Sequence, residues 1–295
     1  MASPDFVLTG GATSAEGEDM QTDEQQGSVG RWGPLFDARA EDWAQTWEGP
    51  HGWGQPVYAY VLESAEVGSG TRLLDCGCGA GRFARMAADR GAQVAGLDAA
   101  AGLIEIASRR VPGGDFRVGD LESLPWPDAE FDLAVGLSAF QFADDKVRAL
   151  AEARRVSRGP VAVAVPARLA DSGIAAVFAP LAGLFPVQAL DRMRASGMFA
   201  LSQPGRLDQV LTEAGLHVRQ DDDIDSPAAF PDAATAVRAF AAAGPMAVAV
   251  QHSGEVAVAA AVRAALAPFT DADGRITLPA SYRVVIADAD RTPAP

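Results

Sequence analysis

Short apolar runs alternate with amphipathic stretches through the middle of the chain. RLLDC (72–76), QVAGL (93–97), DFRV (115–118), DLAVGL (132–137) and PVAVAV (160–165) are too short and too uniformly apolar for surface helices and predict buried strands. Helical periodicity fills the gaps at 80–90, 101–110 and 145–156. Strands and helices in this rotation predict an α/β fold, a mostly parallel sheet with helices on both faces. After Pro166 the rhythm breaks for about 35 residues that contain Pro180, Pro186 and Gly197. It resumes with a helix at 204–214, Gly215 as its stop, and a strand at 216–220. An Ala-rich helical stretch at 228–268 and a strand at 281–287 complete a set of seven strands.

Ahead of the sheet, RWGPLFDARAEDWAQTWEGPHGW (31–53) places Phe36, Ala40, Trp43 and Trp47 at helical spacing. This predicts one amphipathic helix with an aromatic face, followed by a second helix at 55–66. Residues 1–30 hold six acids and no Lys or Arg among many Gly, Ser, Thr and Gln, so they are expected to form a disordered acidic tail. The remainder, 31–295, reads as a single domain with a helical lid at 32–66 and two cap insertions at 167–202 and 227–272. In the first insertion, Phe178, Leu181, Leu184, Phe185, Met193, Met198 and Phe199 offer an apolar lining for a hydrophobic or aromatic small molecule.

Charge and composition narrow the function. The net charge of −15 excludes a phosphate-binding basic face, so no nucleic-acid partner is expected. No apolar run reaches about 18 residues and no basic-then-apolar leader is present, so neither a membrane span nor export is expected and the protein is placed in the cytoplasm. Cys76 and Cys78 lie alone on a glycine turn with no cluster of His or Cys to complete a metal site, and read as packed, reduced thiols. The acid run DDDID (221–225) follows a strand; neighbouring strand residues face opposite ways, so it reads as a solvated edge rather than a metal site.

The chemistry concentrates in RLLDCGCGAGRFARMAADRGAQVAGLDA (72–99). A glycine turn between a strand and a helix ordinarily cradles a pyrophosphate, which a carboxylate at its mouth would repel. Asp75 therefore argues for a cationic ligand, such as an adenosine carrying an amino group and a sulfonium, and glycine permits the close backbone approach. Asp98, ending the second strand, can accept from both ribose hydroxyls, and Asp120 after the third strand can border an adenine. A nicotinamide dehydrogenase would show G-x-G-x-x-G without Asp75, whereas this turn is G-x-G-x-G.

The motifs LLDCGCGAG, GLDA, GDLESLPWPDAEFDLAVGLSAFQF and ALAEARRVSRG together resemble class I S-adenosylmethionine-dependent methyltransferases, in the bacterial small-molecule branch similar to ubiquinone and menaquinone methyltransferases. The resemblance is clear over 36–165, and departs from the family at VSRGPVAV, where a Pro-Gly-Gly turn is usual. It implies a Rossmann-like seven-stranded sheet with the last strand antiparallel. It implies that S-adenosylmethionine is the cofactor and S-adenosylhomocysteine the product. Asp75, Gly77, Gly79 and Gly81 would shape the methionine end, Asp98 bind ribose, Asp120 and Leu121 border adenine, Leu137 and Ser138 lie beneath the transferred methyl, and Trp43 close over the cofactor.

The partner implied is a small-molecule acceptor, in a monomer or homodimer, with methylation at O, N or C and a place in secondary metabolism. Of three histidines, His217 falls in a strand and His252 in a helix, and His51, in the aromatic loop GPHGW, is the candidate general base. The alternative function is a protein of the same fold that binds S-adenosylmethionine without methyl transfer, as a cyclisation catalyst or regulator.

Overall fold

A computed structural model describes residues 27–50 and 52–289; the acidic tail expected at 1–26 lies outside the described residues, as does His51. Gly27–Gly30, expected in that tail, are the first turn of a helix.

The chain begins with α1 (Gly27–Asp37), α2 (Ala40–Gln45) and α3 (Gln55–Ser64). The single amphipathic helix expected across Phe36 to Trp47 is thus two helices. They part where Asp37, ending α1, gives its carboxylate to the Gly102 amide at 2.5 Å, and Arg39 takes a non-helical conformation. The doubly wound core follows: β1 (Arg72–Cys76), α4 (Arg82–Asp89), β2 (Gln93–Asp98), α5 (Ala101–Arg110), β3 (Asp115–Val118), β4 (Leu133–Leu137), α6 (Lys146–Val156) and β5 (Val161–Ala167). Next come α7 (Gly173–Phe178), α8 (Val187–Ala195), α9 (Arg206–Glu213), β6 (Leu216–Asp225), β7 (Ala228–Phe230), α10 (Ala233–Ala242), α11 (Gly244–Ser253), α12 (Glu255–Leu266), β8 (Ile276–Leu278) and β9 (Ser281–Ala289).

The main sheet has the order β3-β2-β1-β4-β5-β9-β6, with β9 antiparallel to both neighbours and β1 to β5 parallel. All seven expected strands are present, and the expected antiparallel last strand is β9. β1 and β4 are buried on both faces, which is why their sequences read as continuous apolar runs. Leu73, Val135, Ala162 and Ile286 pack on one face against Val57 and Val61 of α3 and Phe83 of α4. Leu74, Ala134, Val163 and Val285 pack on the other against Leu150 of α6 and Leu207 and Leu211 of α9.

Helix ends follow local chemistry. Asp145 caps α6 by accepting from Arg148 N at 2.9 Å, and Asp232 caps α10 from Thr235 N at 2.7 Å. Gly215, after α9, has φ 72°, the left-handed conformation expected of a stop glycine.

The second insertion corrects the expected helix from residue 228. Ala228–Phe230 is a strand, paired antiparallel with Ile276–Leu278, and the helices begin only at Ala233. The pairing joins segments about 50 residues apart, which local periodicity does not register. In the first insertion, Phe178, Leu181 and Phe185 belong to the core, where Phe178 packs on Phe240. The DDDID run lies in β6 at the sheet edge: Asp221 pairs with Arg283 at 2.7 Å, Asp222 accepts from Tyr60 Oη at 2.5 Å, and Asp223 and Asp225 face Arg168.

Trp47 ties the segment before the sheet to the second insertion. It is 3% exposed, packs edge-on against Phe230 and Phe240, and donates its indole N–H to Ala239 O at 2.5 Å. Trp47→Ala is expected to lower unfolding stability by about 3–5 kcal/mol, and Trp47→Phe by about 1 kcal/mol through the lost hydrogen bond. Urea denaturation followed by circular dichroism checks both; an alanine variant as stable as the parent would contradict the packing described.

Candidate active site

Parallel strands bring their carboxyl ends to one edge of the sheet, where a doubly wound fold keeps its crevice. Asp75 near the end of β1, Asp98 at the end of β2, Asp120 just beyond β3, Leu137 and Ser138 at the end of β4 and Pro166 of β5 all line one cavity there. Because β9 runs antiparallel, its first residues join them: Tyr282 pairs with Pro166 across the sheet. The roof is aromatic, built from Trp32, Phe36, Trp43, Trp47 and Trp53 with Phe142. Trp32 and Phe36 meet Phe142 at 5.0 and 5.7 Å, and Phe36 meets Trp43 at 5.4 Å. About 160 Å³ is open to the centre of a water molecule, on the order of ten times what one water requires.

The glycine turn is shaped by left-handed conformations at Gly77, Gly79 and Gly81, with φ of 73°, 54° and 81°. Gly77 and Gly79 line the cavity, and a Cβ on Gly77 would lie 2.4 Å from Ala139 Cβ. Gly81 has a different place from the one expected: it is the N-cap of α4, packed where a Cβ would lie 2.9 Å from Ala107 of α5. Trp43 and Leu121 line the cavity. Of the apolar residues expected in the first insertion's lining, Met198 and Phe199 reach the cavity; Leu184 and Met193 pack, partly buried, on the core.

Buried carboxylates dominate the polar side. Asp75 is 3% exposed, and its Oδ2 has no hydrogen-bond partner among the described residues. Burial, reinforced by the charges of Glu48 and Asp98, pushes its pKa well above the ordinary carboxylate range. Asp98 accepts from Gly79 N at 2.9 Å and Ala100 N at 3.0 Å, so it fastens the turn to the start of α5 as well as facing the cavity. Burial raises its pKa to about 6 against the pull of those amides. Asp120 accepts from Glu122 N at 3.0 Å.

Two residues were not legible in the sequence, Glu48 and Gln141, and neither was the backbone conformation of the expected Ser138. Glu48, 5% exposed, accepts from Trp43 Nε1 at 2.8 Å, Ala80 N at 2.7 Å, Arg82 N at 3.0 Å and Arg110 at 2.8 Å. Its pKa is raised by burial and drawn back by those donors. Gln141 is fully buried, and neither end of its amide has a partner among the described residues. Ser138 holds φ 56°, uncommon outside glycine, with an unpartnered Oγ. A lone Glu among tryptophans and a Gln between phenylalanines give no pattern; only contacts across the fold single them out. His217 lies in β6 and His252 in α11, and neither lines the cavity.

Comparison with known proteins agrees with this geometry. Residues 74–161 match the family described as a methyltransferase domain. Over 89 residues the chain is 42% identical to malonyl-[acyl-carrier protein] O-methyltransferase of Serratia marcescens, covering 30% of this chain and 35% of that protein. Over 106 residues it is 33% identical to demethylmenaquinone methyltransferase of Thermotoga maritima, covering 35% and 44%. The chain thus spans about a third to under a half of the length of the curated relatives it matches. Among solved structures, the [4+2]-cyclase SpnF superposes with a TM-score of 0.54 at 23% identity over 91% of this chain and 96% of that one. The YcgJ protein of Bacillus subtilis superposes with a TM-score of 0.50 at 21% identity, over 79% and 98%. These likenesses show the fold.

An acid whose pKa is raised on folding binds protons that the unfolded chain has released, so stability falls as pH rises from about 4 toward the raised value. Asp75→Asn removes that cost. The ligand-free variant is expected to melt about 2–4 °C above the parent at pH 7.5, with the gain shrinking as the pH approaches 4. Scanning calorimetry across this range checks it; a variant less stable at pH 7.5 would mean that Asp75 is satisfied without a ligand.

Proposed function

Because residues 74–161 match a family described as a methyltransferase domain, we propose that the protein transfers a methyl group from S-adenosylmethionine to a small, apolar or aromatic acceptor. The observation that carries this reading is the unpartnered, buried Oδ2 of Asp75 at the mouth of the glycine turn. A buried acceptor left empty costs about 1–3 kcal/mol, and the group that satisfies it must donate a hydrogen bond. An ammonium does so and also neutralises the charge; a pyrophosphate does neither.

The surrounding residues fit the rest of such a cofactor. Asp98 keeps lone pairs for a ribose diol beyond the two amides it holds, Asp120 and Leu121 border the position of an adenine, and Ser138 offers a hydroxyl at the end of β4. When bound, the cofactor supplies an electrophilic methyl on a sulfonium. The chain's own contribution is alignment and exclusion of water. Trp43 and Phe36 cover the turn, and Tyr282, Met198, Phe199 and Ile174 wall the remaining space with largely apolar surface against which a flat or greasy acceptor can lie. The Gln141 amide, with a free donor and a free acceptor, can fix a neutral polar group of that acceptor.

A non-methylating cyclisation catalyst is the second reading. An aromatic-lined cavity that folds a substrate would serve it equally, and the fold neighbour is named a [4+2]-cyclase.

Titration calorimetry with S-adenosylmethionine and S-adenosylhomocysteine, alongside NAD, is expected to give micromolar binding of both sulfur nucleosides and none of NAD. Release of tritium from methyl-labelled cofactor into extractable product then separates transfer from cyclisation. Asp98→Ala is expected to weaken nucleoside binding by about 1–3 kcal/mol. Unchanged affinity in the folded variant would remove Asp98 from the ribose site, and binding of NAD alone would overturn the cofactor.

A further inference from the structure

The first helix after the glycine turn ordinarily keeps its N-terminal amides for a ligand anion. Here one of them is taken. Glu48 reaches from the loop after α2 to accept from Arg82 N, the first amide of α4, and from Ala80 N in the turn just before its N-cap. Gly79 makes room for it: a Cβ there would lie 2.2 Å from Glu48 Oε1. The glycine is therefore needed for the protein's own carboxylate, rather than for a ligand phosphate. Trp43 Nε1 and Arg110 complete a set of four donors, so the carboxylate is held in one position and its charge is supported against burial, while Oδ2 of Asp75 beside it has no donor among the described residues.

Resting on the cofactor reading above, we propose that Glu48 is a specificity-determining residue. It fills the anion seat of α4 and sets a negative field in the cavity that favours the sulfonium cofactor over its uncharged thioether product.

Three features support this. Glu48, Asp75 and Asp98 line the same cavity, and the cation facing Glu48, Arg110, lies behind it rather than on the cavity wall. Burial keeps water from screening the carboxylate, so its field acts over several ångströms at a low effective dielectric. The two sulfur nucleosides differ in this field by one methyl and one unit of charge, so a fixed negative charge separates them where shape hardly does. A spent cofactor is then held less firmly than a fresh one, which favours exchange after transfer.

Titration calorimetry at pH 8 with S-adenosylmethionine and S-adenosylhomocysteine tests this on the wild type, Glu48→Gln and Arg110→Met. The glutamine keeps the shape and loses the charge; the methionine removes the countercharge, and pH 8 favours the ionised Glu48 carboxylate in its absence. The ratio of affinities for the two nucleosides is expected to fall about fivefold in Glu48→Gln and to rise in Arg110→Met. A merely structural latch would weaken both nucleosides in parallel and leave the ratio unchanged in both variants, and that result overturns the proposal. If Glu48→Gln does not fold, Arg110→Met decides by the same criterion. Binding of neither nucleoside by the wild type overturns the cofactor reading itself, and the proposal with it.

Discussion

Glu48 is where three parts of the molecule meet. Its four donors come from the aromatic segment before the sheet, the glycine turn after β1 and the end of α5. Each contact is charge-assisted or made to an orphan amide at a helix start, and such bonds are the stronger ones in a buried setting. Through Trp43 the same carboxylate orients the roof, and Trp47, one position before Glu48, carries the connection onward to Ala239 and the second insertion. The roof, the turn and the insertion are therefore organised around one buried negative charge rather than around separate apolar contacts.

That charge has neighbours of the same sign. Asp75 sits in a strand whose other central residues are apolar and buried, and Asp98 is held above its ordinary pKa by burial. A fold selected for stability alone would not put three carboxylates around one cavity with the Arg110 guanidinium paired to only one of them among the described residues. The unpartnered Ser138 hydroxyl and Gln141 amide belong to the same pattern, since buried polar groups are otherwise nearly always satisfied.

The sheet was readable in the sequence because buried parallel strands announce themselves as short apolar runs between amphipathic helices. The cavity edge was readable for a related reason: a carboxylate inside such a run, as at Asp75, contradicts its surroundings. What depended on distant contacts was not readable. The pairing of Ala228–Phe230 with Ile276–Leu278 falls in an Ala-rich stretch of helical periodicity, and the break between α1 and α2 answers to Gly102, some 65 residues on. Glu48 and Gln141 are ordinary residue types in unremarkable positions, and only the fold turns them toward the cavity. The aromatic residues of the first insertion mostly serve the core, because a loop crossing a sheet edge must first bury its own surface.

The small sheet of β7 and β8 has a further consequence. By pairing the two ends of the second insertion, it makes the intervening helices a cassette whose exit and return points are fixed. Closing a longer or shorter loop between fixed points costs little, since the entropy grows only logarithmically with length. The segment between the two short strands, which brings Ala243 to the cavity, can thus change in length over evolutionary time while the carboxyl edge of the main sheet stays as it is.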